Sequence, residues 1–326
     1  MSMNEKTNHV GNNRNVSTVA CIGAGLIGQG WATVFALKSQ RVILQDVTTQ
    51  GLNVALKKIT SNLKCLVQNS LITQDECEQA LSVLETTTDI ETAVDAAEYV
   101  QESVPDEYTV KTEVFHRIEK YASKDAVLAS SASGLLISEI QKNLRYPERS
   151  VLVHPCLPVY LMPCVEICGG DKTSSETVNR AAAFMASLGK QPIILNHEVP
   201  GLIINRLQSA LLREAVDLVA RGVASAEAVD KAFRLGVGLR SPIMGPFLRA
   251  HIAGQGINEF FSRYSTSYTY RLADMADWKA FPAEETAKVI KSVSEMTTVK
   301  DQSLEDLNER RDTFLAGMLN DTLLQQ

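Results

Sequence analysis

A glycine-rich turn near the start of the chain constrains the fold more than any other feature of the sequence. The residues Gly23-Ala24-Gly25-Leu26-Ile27-Gly28 match G-x-G-x-x-G and stand between an apolar run and a helical pattern. In that setting the glycines permit a tight turn, a close approach of the backbone to a pyrophosphate, and close packing of helix on strand. The helix N-terminus adds N–H donors and positive potential. The alternative is a glycine turn without a ligand. The predicted dinucleotide site contains Gly23, Gly25, Leu26, Ile27 and Gly28.

An aspartate ends the next apolar segment. Arg41-Val42-Ile43-Leu44-Gln45-Asp46 has the composition of a strand, and its terminal Asp46 lies 23 residues beyond Gly23. An acid about 20 residues after the glycine turn binds the ribose hydroxyls of a dinucleotide. Because a carboxylate repels a 2′-phosphate, Asp46 favours NAD over NADP.

The pattern of the chain changes near its middle. Short β-branched runs alternate with helical patterns in the first half, which is typical of a parallel α/β sheet. From Pro200 onward only helical periodicity remains, with Leu207, Leu211, Ala215 and Leu218 on one face, either as core or as a dimer seam. We predict strands at 18–22, 42–46, 99–104, 127–131, 150–154, 164–168 and 193–195, and helices at 26–38, 54–68, 109–121 and 175–188. The predicted architecture is a disordered lead-in at 1–17, a Rossmann-type NAD-binding α/β domain at 18–198 and an all-α domain at 199–326.

The composition disfavours several classes of protein. With 32 basic and 38 acidic residues the formal net charge is −6, whereas a nucleic-acid binder normally needs a basic face. No apolar run approaches the ~18 residues of a membrane span. The first residues lack the apolar region of a secretory signal. The six cysteines form no disulfide framework, so we expect a reduced, cytoplasmic protein.

A metal site has to be considered around one histidine. His154, Cys156, Cys164 and Cys168 lie close together in the sequence. Their spacing, H-x-C and C-x3-C, differs from the paired C-x-x-C of structural zinc sites. We therefore predict no metal.

Three acidic residues and one histidine stand at the ends of, or inside, predicted strands. His154 ends one apolar strand and Glu166 lies within the next. A lone histidine in such a strand is more often a core residue, whereas a buried glutamate needs a partner. If they pair, Glu166 holds His154 and keeps it basic near neutrality. Glu102 and Asp106 are equally consistent with ligands and with charges at a helix N-terminus.

A series of motifs follows in a fixed order from Ile22 to Pro246. They are Ile22-Gly23-Ala24-Gly25-Leu26-Ile27-Gly28, Gln101-Glu102-Ser103-Val104-Pro105, Ser130-Ser131-Ala132-Ser133-Gly134, His154-Pro155, Leu161-Met162-Pro163-Cys164-Val165-Glu166, Gly201-Leu202-Ile203-Ile204-Asn205-Arg206-Leu207-Gln208, and Gly238-Leu239-Arg240 before Gly245-Pro246. With these motifs the chain resembles the L-3-hydroxyacyl-CoA dehydrogenase superfamily. Within it, the chain is most similar to the lambda-crystallin or L-gulonate 3-dehydrogenase branch, with the L-carnitine dehydrogenases nearby.

The resemblance implies roles for individual residues. The catalytic pair of the family falls on His154 and Glu166, and its substrate-polarising serine and asparagine fall on Ser133 and Asn205. The acid on the nicotinamide side falls on Asp106, where a glutamate is more usual. The lysine on the cofactor side falls on Lys111. The resemblance also implies a Rossmann domain followed by a helical domain that dimerises, hence a homodimer.

The family motif is altered beside the catalytic histidine. The usual His-x-x-Asn-Pro is His154-Pro155-Cys156-Leu157-Pro158 here, so an apolar residue replaces an amide. This departure leaves the fold expectation intact but bears on the substrate.

The substrate is expected to be a small free acid. A coenzyme A thioester carries phosphates, which favour basic residues at the entrance, yet little basic charge follows Lys57, Lys58 and Lys64 as far as Cys77. Arg240 can pair with a carboxylate through a bidentate fork and matches the arginine of the gulonate dehydrogenase branch. The alternative for Arg240 is an exposed or structurally paired side chain.

Other functions stay open. The expected reaction is oxidation of the 3-hydroxyl of an L-3-hydroxy acid by NAD, with an L-3-hydroxyacyl-CoA of fatty acid metabolism as the alternative substrate. A non-catalytic NAD-binding protein is a second alternative, because the branch includes lens crystallins. An enzyme is favoured by the intact set of Ser133, His154, Glu166 and Asn205. Leu157 favours the non-catalytic protein. Tyr121-Ala122-Ser123-Lys124 has the wrong spacing for the Tyr-x-x-x-Lys pair of a short-chain dehydrogenase.

Overall fold

The computed structural model describes residues 16–320. The lead-in predicted at 1–17 lies almost wholly outside the described residues. The chain divides into two compact units, of which the first ends at Ile203 and the second begins at Ile204. In the part of the chain that the structure describes, no helix combines the length and hydropathy of a membrane span.

An eight-stranded sheet forms the centre of the first unit, in the order β3-β2-β1-β4-β5-β6-β7-β8. The strand order reverses between β1 and β4, and the crevice at such a point is where an open α/β sheet binds its ligand. The strands are β1 (Thr18–Ile22), β2 (Arg41–Gln45), β3 (Leu84–Thr87), β4 (Tyr99–Glu102), β5 (Val127–Ser130), β6 (Ser150–Pro155), β7 (Cys164–Cys168) and β8 (Gln191–Ile194).

One pair of neighbouring strands departs from the predicted parallel sheet. All neighbours are parallel except β6 and β7, which are antiparallel with His154 opposite Glu166. An antiparallel neighbour needs only a short connection, whereas a parallel neighbour needs a crossover of a dozen or more residues. The eight residues between β6 and β7 are too few for a crossover, so β7 reverses direction.

The helices of the first unit cover both faces of the sheet. Those predicted at 26–38, 54–68, 109–121 and 175–188 are present as α1, α2, α5 and α7, and α2 begins earlier because Thr48 caps it. The segment between α2 and β4 also contains α3, β3 and α4, which were not predicted. The helices are α1 (Leu26–Ala36), α2 (Thr49–Gln68), α3 (Gln74–Ser82), α4 (Ile90–Val94), α5 (Tyr108–Tyr121), α6 (Ile137–Ile140) and α7 (Ser175–Ser187).

Alternation along β1 supplies side chains to two hydrophobic cores. Val19 and Cys21 belong to a core that contains Trp31 and Phe35 of α1, whereas Ala20 and Ile22 belong to the core of the opposite face. Successive strand residues point to opposite faces, so a strand buried on both sides is apolar throughout. This explains why the apolar run before the glycine turn folds as a central strand.

The division between the units falls a few residues after the predicted boundary at 198/199. The segment after β8 still belongs to the first unit, because the Leu195 amide donates to the Ile167 carbonyl at 2.9 Å and Leu202 is buried in its core. The amide of Ile203 donates to Glu166 Oε1 at 2.7 Å. The first unit therefore extends to Ile203.

The second unit is helical, as the sequence predicts. Its α-helices are α8 (Ile204–Ala220), α9 (Ala226–Ala232), α10 (Pro246–Gly254), α11 (Ile257–Asp274), α12 (Ala283–Ser294) and α13 (Leu304–Leu319), with a π-helical segment at Phe233–Gly238. Helix α8 packs against α12, and α10 packs against α11. On the predicted apolar face of α8, Leu207 and Leu211 are exposed in the single chain, whereas Ala215 and Leu218 are half-buried.

Candidate active site

The glycine turn follows β1 at the carboxyl edge of the sheet. Gly23 has φ +95°, and its amide donates to the Gln45 carbonyl at 2.9 Å. A Cβ at Gly23 would lie 2.8 Å from the Ser103 carbonyl oxygen, and one at Gly28 would lie 1.8 Å from the Gly23 oxygen. Both contacts involve backbone, which has no room to yield. These two positions therefore require glycine.

The middle of the turn faces open space. Gly25 is the N-cap of α1, and a Cβ at this position would meet no atom within 4 Å. No side chain caps this helix and no acidic residue occupies its first turn. Leu26 is 63% exposed beside these amides. Free amide donors at a helix N-terminus fit a pyrophosphate, so the turn can hold a dinucleotide.

Asp46 lies against the glycine turn, as its position after β2 predicts. Its Oδ2 accepts from the Ala24 amide at 2.7 Å, and its Oδ1 accepts from the Val47 amide at 2.7 Å. Each carboxylate oxygen has a further lone pair, so this half-buried group can still accept from hydroxyls. Asp46 thus supports the glycine turn and can also accept hydrogen bonds from the hydroxyls of a ribose.

Glu102 and Lys111 form a buried ion pair at the end of β4. Glu102 Oε1 accepts from Lys111 Nζ at 2.7 Å and from the Val104 amide at 2.7 Å, while its Oε2 accepts from Ser130 Oγ at 2.6 Å. Both side chains are at most 2% exposed. Burial raises the pKa of the Glu102 carboxyl, although Lys111 and the other hydrogen bonds act in the opposite direction. Glu102 is therefore not a charge at a helix N-terminus but connects β4 with β5.

Asp106 connects the ends of the same two strands on the surface side. Its Oδ2 accepts from Ser133 Oγ at 3.1 Å and from the amides of Ser133 and Gly134 at 3.3 and 3.1 Å. Its Oδ1 is 3.7 Å from Lys111 Nζ, which also donates to the Val104 carbonyl at 3.1 Å. Asp106 therefore fixes Ser133. The Lys111 ammonium is buried, and it contacts the carboxylates of Glu102 and Asp106 at this edge of the sheet.

A buried polar network lies beneath these loops and was not predicted. Trp31 Nε1 and Gln101 Nε2 donate to Ser131 Oγ at 3.1 and 2.8 Å, and Ser131 Oγ lies 2.9 Å from Ser103 Oγ. Gln101 Nε2 also lies 3.3 Å from the Val153 carbonyl oxygen. The network joins α1 to the ends of β4, β5 and β6. A glutamine and a serine inside apolar strands were the signal in the sequence.

His154 and Glu166 face each other across β6 and β7. The two residues are register partners, and His154 Nδ1 lies 2.9 Å from Glu166 Oε2. Glu166 is fully buried, and its Oε1 accepts from the Ile203 amide. A carboxylate only accepts, so it places the proton of the neutral imidazole on Nδ1 and leaves Nε2 as a base. Each of the two residues therefore has a polar partner inside its apolar strand.

Two predicted substrate residues belong to the second unit. Asn205 lies in the first turn of α8. Arg240 is exposed directly after the π-helical segment, and no carboxylate within residues 16–320 forms an ion pair with it. Such π-helical segments are frequent at functional sites. In the first unit, Leu157 is 50% exposed in the segment between β6 and β7.

The histidine and cysteines near β6 do not assemble into a metal centre. Among the described residues, no three His, Cys, Asp or Glu side chains are placed to hold a metal ion. The six cysteines are all unbridged thiols.

Two family models match the chain. Residues 18–199 match the NAD binding domain of 3-hydroxyacyl-CoA dehydrogenase, and residues 201–292 match the C-terminal domain of 3-hydroxyacyl-CoA dehydrogenase. Together they cover the first unit from residue 18 onward and the second unit as far as residue 292.

Known proteins resemble the chain over most of its length. The L-carnitine dehydrogenase of Oceanobacillus iheyensis is 34% identical over 309 residues, which cover 93% of this chain and 97% of the relative. The structure of 5-formyl-3-hydroxy-2-methylpyridine 4-carboxylic acid 5-dehydrogenase, an NAD⁺-dependent dismutase, matches with a TM-score of 0.80 and 28% identity over 93% of this chain and 97% of the other. The (S)-3-hydroxybutyryl-CoA dehydrogenase PaaH1 of Ralstonia eutropha matches with a TM-score of 0.64 and 25% identity over 78% and 87% of the two chains.

Proposed function

The chain belongs to the 3-hydroxyacyl-CoA dehydrogenase family of NAD-dependent oxidoreductases, and we propose that it oxidises the 3-hydroxyl of a small free L-3-hydroxy acid to the 3-keto acid. The observation that carries the proposal is the 2.9 Å contact between His154 and Glu166 at the carboxyl edge of the NAD-binding sheet. A base at this edge can reach a substrate beside the cofactor.

His154 is the proposed general base. Its Nε2 takes the proton of the substrate hydroxyl, while Glu166 orients the ring and stabilises the imidazolium that forms. The Ile203 amide in turn orients Glu166. These contacts hold the carboxylate beside the imidazole.

The substrate oxygen gains carbonyl character as the proton leaves. Ser133 and Asn205 are proposed to hydrogen-bond this oxygen, with Ser133 positioned by Asp106. When bound, NAD accepts the hydride from C3. Gly23, Gly25, Leu26, Ile27 and Gly28 are proposed to hold its pyrophosphate, and Asp46 its ribose hydroxyls. Asp106 and Lys111 are proposed to shape the nicotinamide side, Lys111 through its buried contacts.

A free carboxylate on the substrate is supported by the relatives and by Arg240. L-Carnitine is a small 3-hydroxy acid, and the pyridine carboxylic acid of the structural neighbour also carries a carboxylate. The guanidinium of Arg240 is exposed and has no ion-pair partner among residues 16–320, so it can bind such a group by a bidentate fork. An L-gulonate-like acid fits the same chemistry as a carnitine-like one.

A panel of substrates tests the function. We expect NADH formation, followed by absorbance, with at least one acid among L-carnitine, L-gulonate and L-3-hydroxybutyrate. Asp46 should make NAD the preferred cofactor, so the same assays with NADP are expected to be slower. A panel without turnover but with tight NAD binding would favour the non-catalytic alternative.

Arg240 decides between a free acid and a thioester. We expect Arg240→Ala to raise KM for the best acid about tenfold or more, because a hydrogen bond to a charged group contributes about 1.5–3 kcal/mol. Arg234→Ala, in the π-helical segment of the same unit, is the matched control. If Arg240→Ala leaves KM for every acid unchanged while 3-hydroxybutyryl-CoA is turned over well, the substrate is the thioester, as in the Ralstonia eutropha enzyme.

A homodimer formed by the second unit is also proposed. Leu207 and Leu211 of α8 are exposed, as are Phe247, Phe261 and Phe314 on other helices of this unit. Exposed apolar groups in such number mark an interaction surface, and a two-fold dimer is the commonest arrangement. We expect sedimentation to give twice the 35.7 kDa of one chain. A single-chain mass at micromolar concentration would contradict the proposal.

The cytoplasmic location stays a prediction from the cysteine pattern.

A further inference from the structure

We propose that Cys156 and Cys164 form a redox-modification site, at which a hydroperoxide converts the two thiols into a disulfide that bridges β6 and β7 beside the His154–Glu166 pair. The zinc alternative for these cysteines is not supported, and the proposed dehydrogenase reaction leaves both thiols unused. Formation of the disulfide is independent of the reaction. Only its expected effect on turnover rests on the proposed function.

The register of the hairpin brings the two cysteines together. In this antiparallel ladder His154 pairs with Glu166 and Pro155 with Val165, where β6 ends; continuing the same register by one residue places Cys156 opposite Cys164. Side chains two residues apart on a strand point to the same face, which is the face of the catalytic pair. Opposite Cα atoms in such a ladder are about 4.5–5.5 Å apart. This separation lies within the range of about 4.4–6.8 Å that a disulfide needs.

The two thiols influence each other and are within reach of a small oxidant. Cys164 raises the pKa of Cys156, Cys156 lowers the pKa of Cys164, and both residues are half-buried. Cys21, Cys77 and Cys168 are buried instead.

A buried lysine anchors the segment that joins the two cysteines. Lys190 Nζ donates to the carbonyls of Val159 and Met162, which belong to the segment that joins the two cysteines. Burial lowers the pKa of Lys190 to about 8, and Cys156 acts in the opposite direction. The two hydrogen bonds anchor the segment that joins the cysteines. The Lys190 ammonium acts to lower the pKa of Cys156, whereas the Glu166 carboxylate acts to raise the pKa of both thiols.

The chemical steps balance whichever thiol reacts first. The thiolate of one cysteine attacks the peroxide oxygen, the O–O bond breaks, and a sulfenic acid and hydroxide form. The thiol of the other cysteine then attacks the sulfenic sulfur, the S–O bond breaks, and the oxygen leaves as water with the proton of that thiol. The peroxide is reduced by two electrons, and the two thiols are oxidised to one disulfide.

The disulfide moves side chains next to the catalytic pair. A disulfide holds the sulfurs at about 2.05 Å, closer than any hydrogen bond between thiols. His154 lies two residues before one cysteine and Glu166 two residues after the other. Because the backbone separation already suits a disulfide, the two cysteine side chains rotate to form the bridge, and we expect the imidazole and carboxylate packed beside them to shift.

Hydrogen peroxide treatment of the full chain tests the proposal. We expect the loss of two free thiols, restored by dithiothreitol, and peptides that remain joined after chymotryptic cleavage at Tyr160, which separates Cys156 from Cys164. We expect turnover to fall about tenfold and recover on reduction, since a displacement of about 1 Å at a catalytic group can cost 100-fold.

The serine variants separate the pair from the other cysteines. Cys156→Ser and Cys164→Ser should each abolish the joined peptides and the reversible loss of turnover. Cys65→Ser, at a half-buried cysteine of α2, should retain both. Peroxide oxidation without joined peptides would overturn the modification site whether or not the protein has dehydrogenase activity. A disulfide that leaves turnover unchanged would overturn its inhibitory effect. Should a serine variant fold poorly, the joined peptides of the unaltered chain still decide.

Discussion

His154→Ala is expected to lower kcat about 10²- to 10⁴-fold, which is the usual contribution of a positioned general base. Nδ1 of this ring faces Glu166 at 2.9 Å, so the loss removes the one ring nitrogen that is left to take the substrate proton. NAD binding, measured by quenching of protein fluorescence, should change little, because His154 is not part of the glycine turn. The measurement is steady-state formation of NADH with the best acid of the panel.

Two further variants sharpen this test. Glu166→Gln preserves the shape of the pair but can hold the ring in the wrong tautomer, and the corresponding change in a serine protease costs about 10⁴-fold in kcat. His116→Ala removes an exposed imidazole on α5 and should leave kcat unchanged. Turnover by His154→Ala close to that of His116→Ala would remove His154 from the mechanism.

Lys111→Met is expected to destabilise the first unit by about 3–5 kcal/mol near neutral pH, because it leaves the buried Glu102 carboxylate without its cation. The chain has two tryptophans, Trp31 and Trp278. A Trp278→Phe background assigns the fluorescence to Trp31, which is buried in the first unit. Urea unfolding in that background follows the first unit even when the two units unfold separately.

The stability lost in Lys111→Met should depend on pH in a defined direction. Burial raises the pKa of Glu102, and without Lys111 its folded-state value lies further above that of the unfolded chain. A carboxyl with a raised folded-state pKa destabilises the fold above that value, and the penalty shrinks as the pH falls through it. The destabilisation by Lys111→Met should therefore be larger at about pH 8 than at about pH 5.

An exposed ion pair provides the control. Arg41 and Glu85 also lie 2.7 Å apart, but their side chains are 43% and 52% exposed, so Arg41→Met should cost less than about 1 kcal/mol. The double variant Glu102→Gln with Lys111→Met should be more stable than Lys111→Met alone, because it contains no unpaired buried charge. Equal losses for Lys111→Met and Arg41→Met would mean that burial does not govern the strength of the pair.

The parts of the fold set by local pattern could be predicted from the sequence. The apolar run before the glycine turn is β1, and the change of periodicity after Pro200 marks the helical unit. Asp46 could be placed because the end of a parallel strand beside a glycine turn faces the same edge of the sheet. The Cys164–Cys168 strand was also predicted, but its direction was not, since direction depends on the length of the connection rather than on the strand's own residues.

Elements of weak pattern could not be predicted in the same way. Helix α4 has five residues, and β3 is a short edge strand that is only half-buried, so neither has a strong periodicity. Helix α3 did carry a signal, because Thr73 and Glu76 form a capping box that matches T-x-x-E. The role of Glu102 depends on Ser130 and Lys111, which come from other elements and meet it only in the folded sheet.

The reversed strand β7 places the His154 imidazole and the Glu166 carboxylate on one short hairpin. The two side chains are twelve residues apart in sequence and are aligned by one hairpin, whereas the glycine turn and its aspartate depend on a crossover. Changes in the glycine turn could therefore leave this pair intact. Conversely, divergence in the exposed stretch around Leu157 could occur without altering the strand register that aligns His154 with Glu166. Under the proposed function, related enzymes could change their substrate contacts by this route while the proposed base keeps its position.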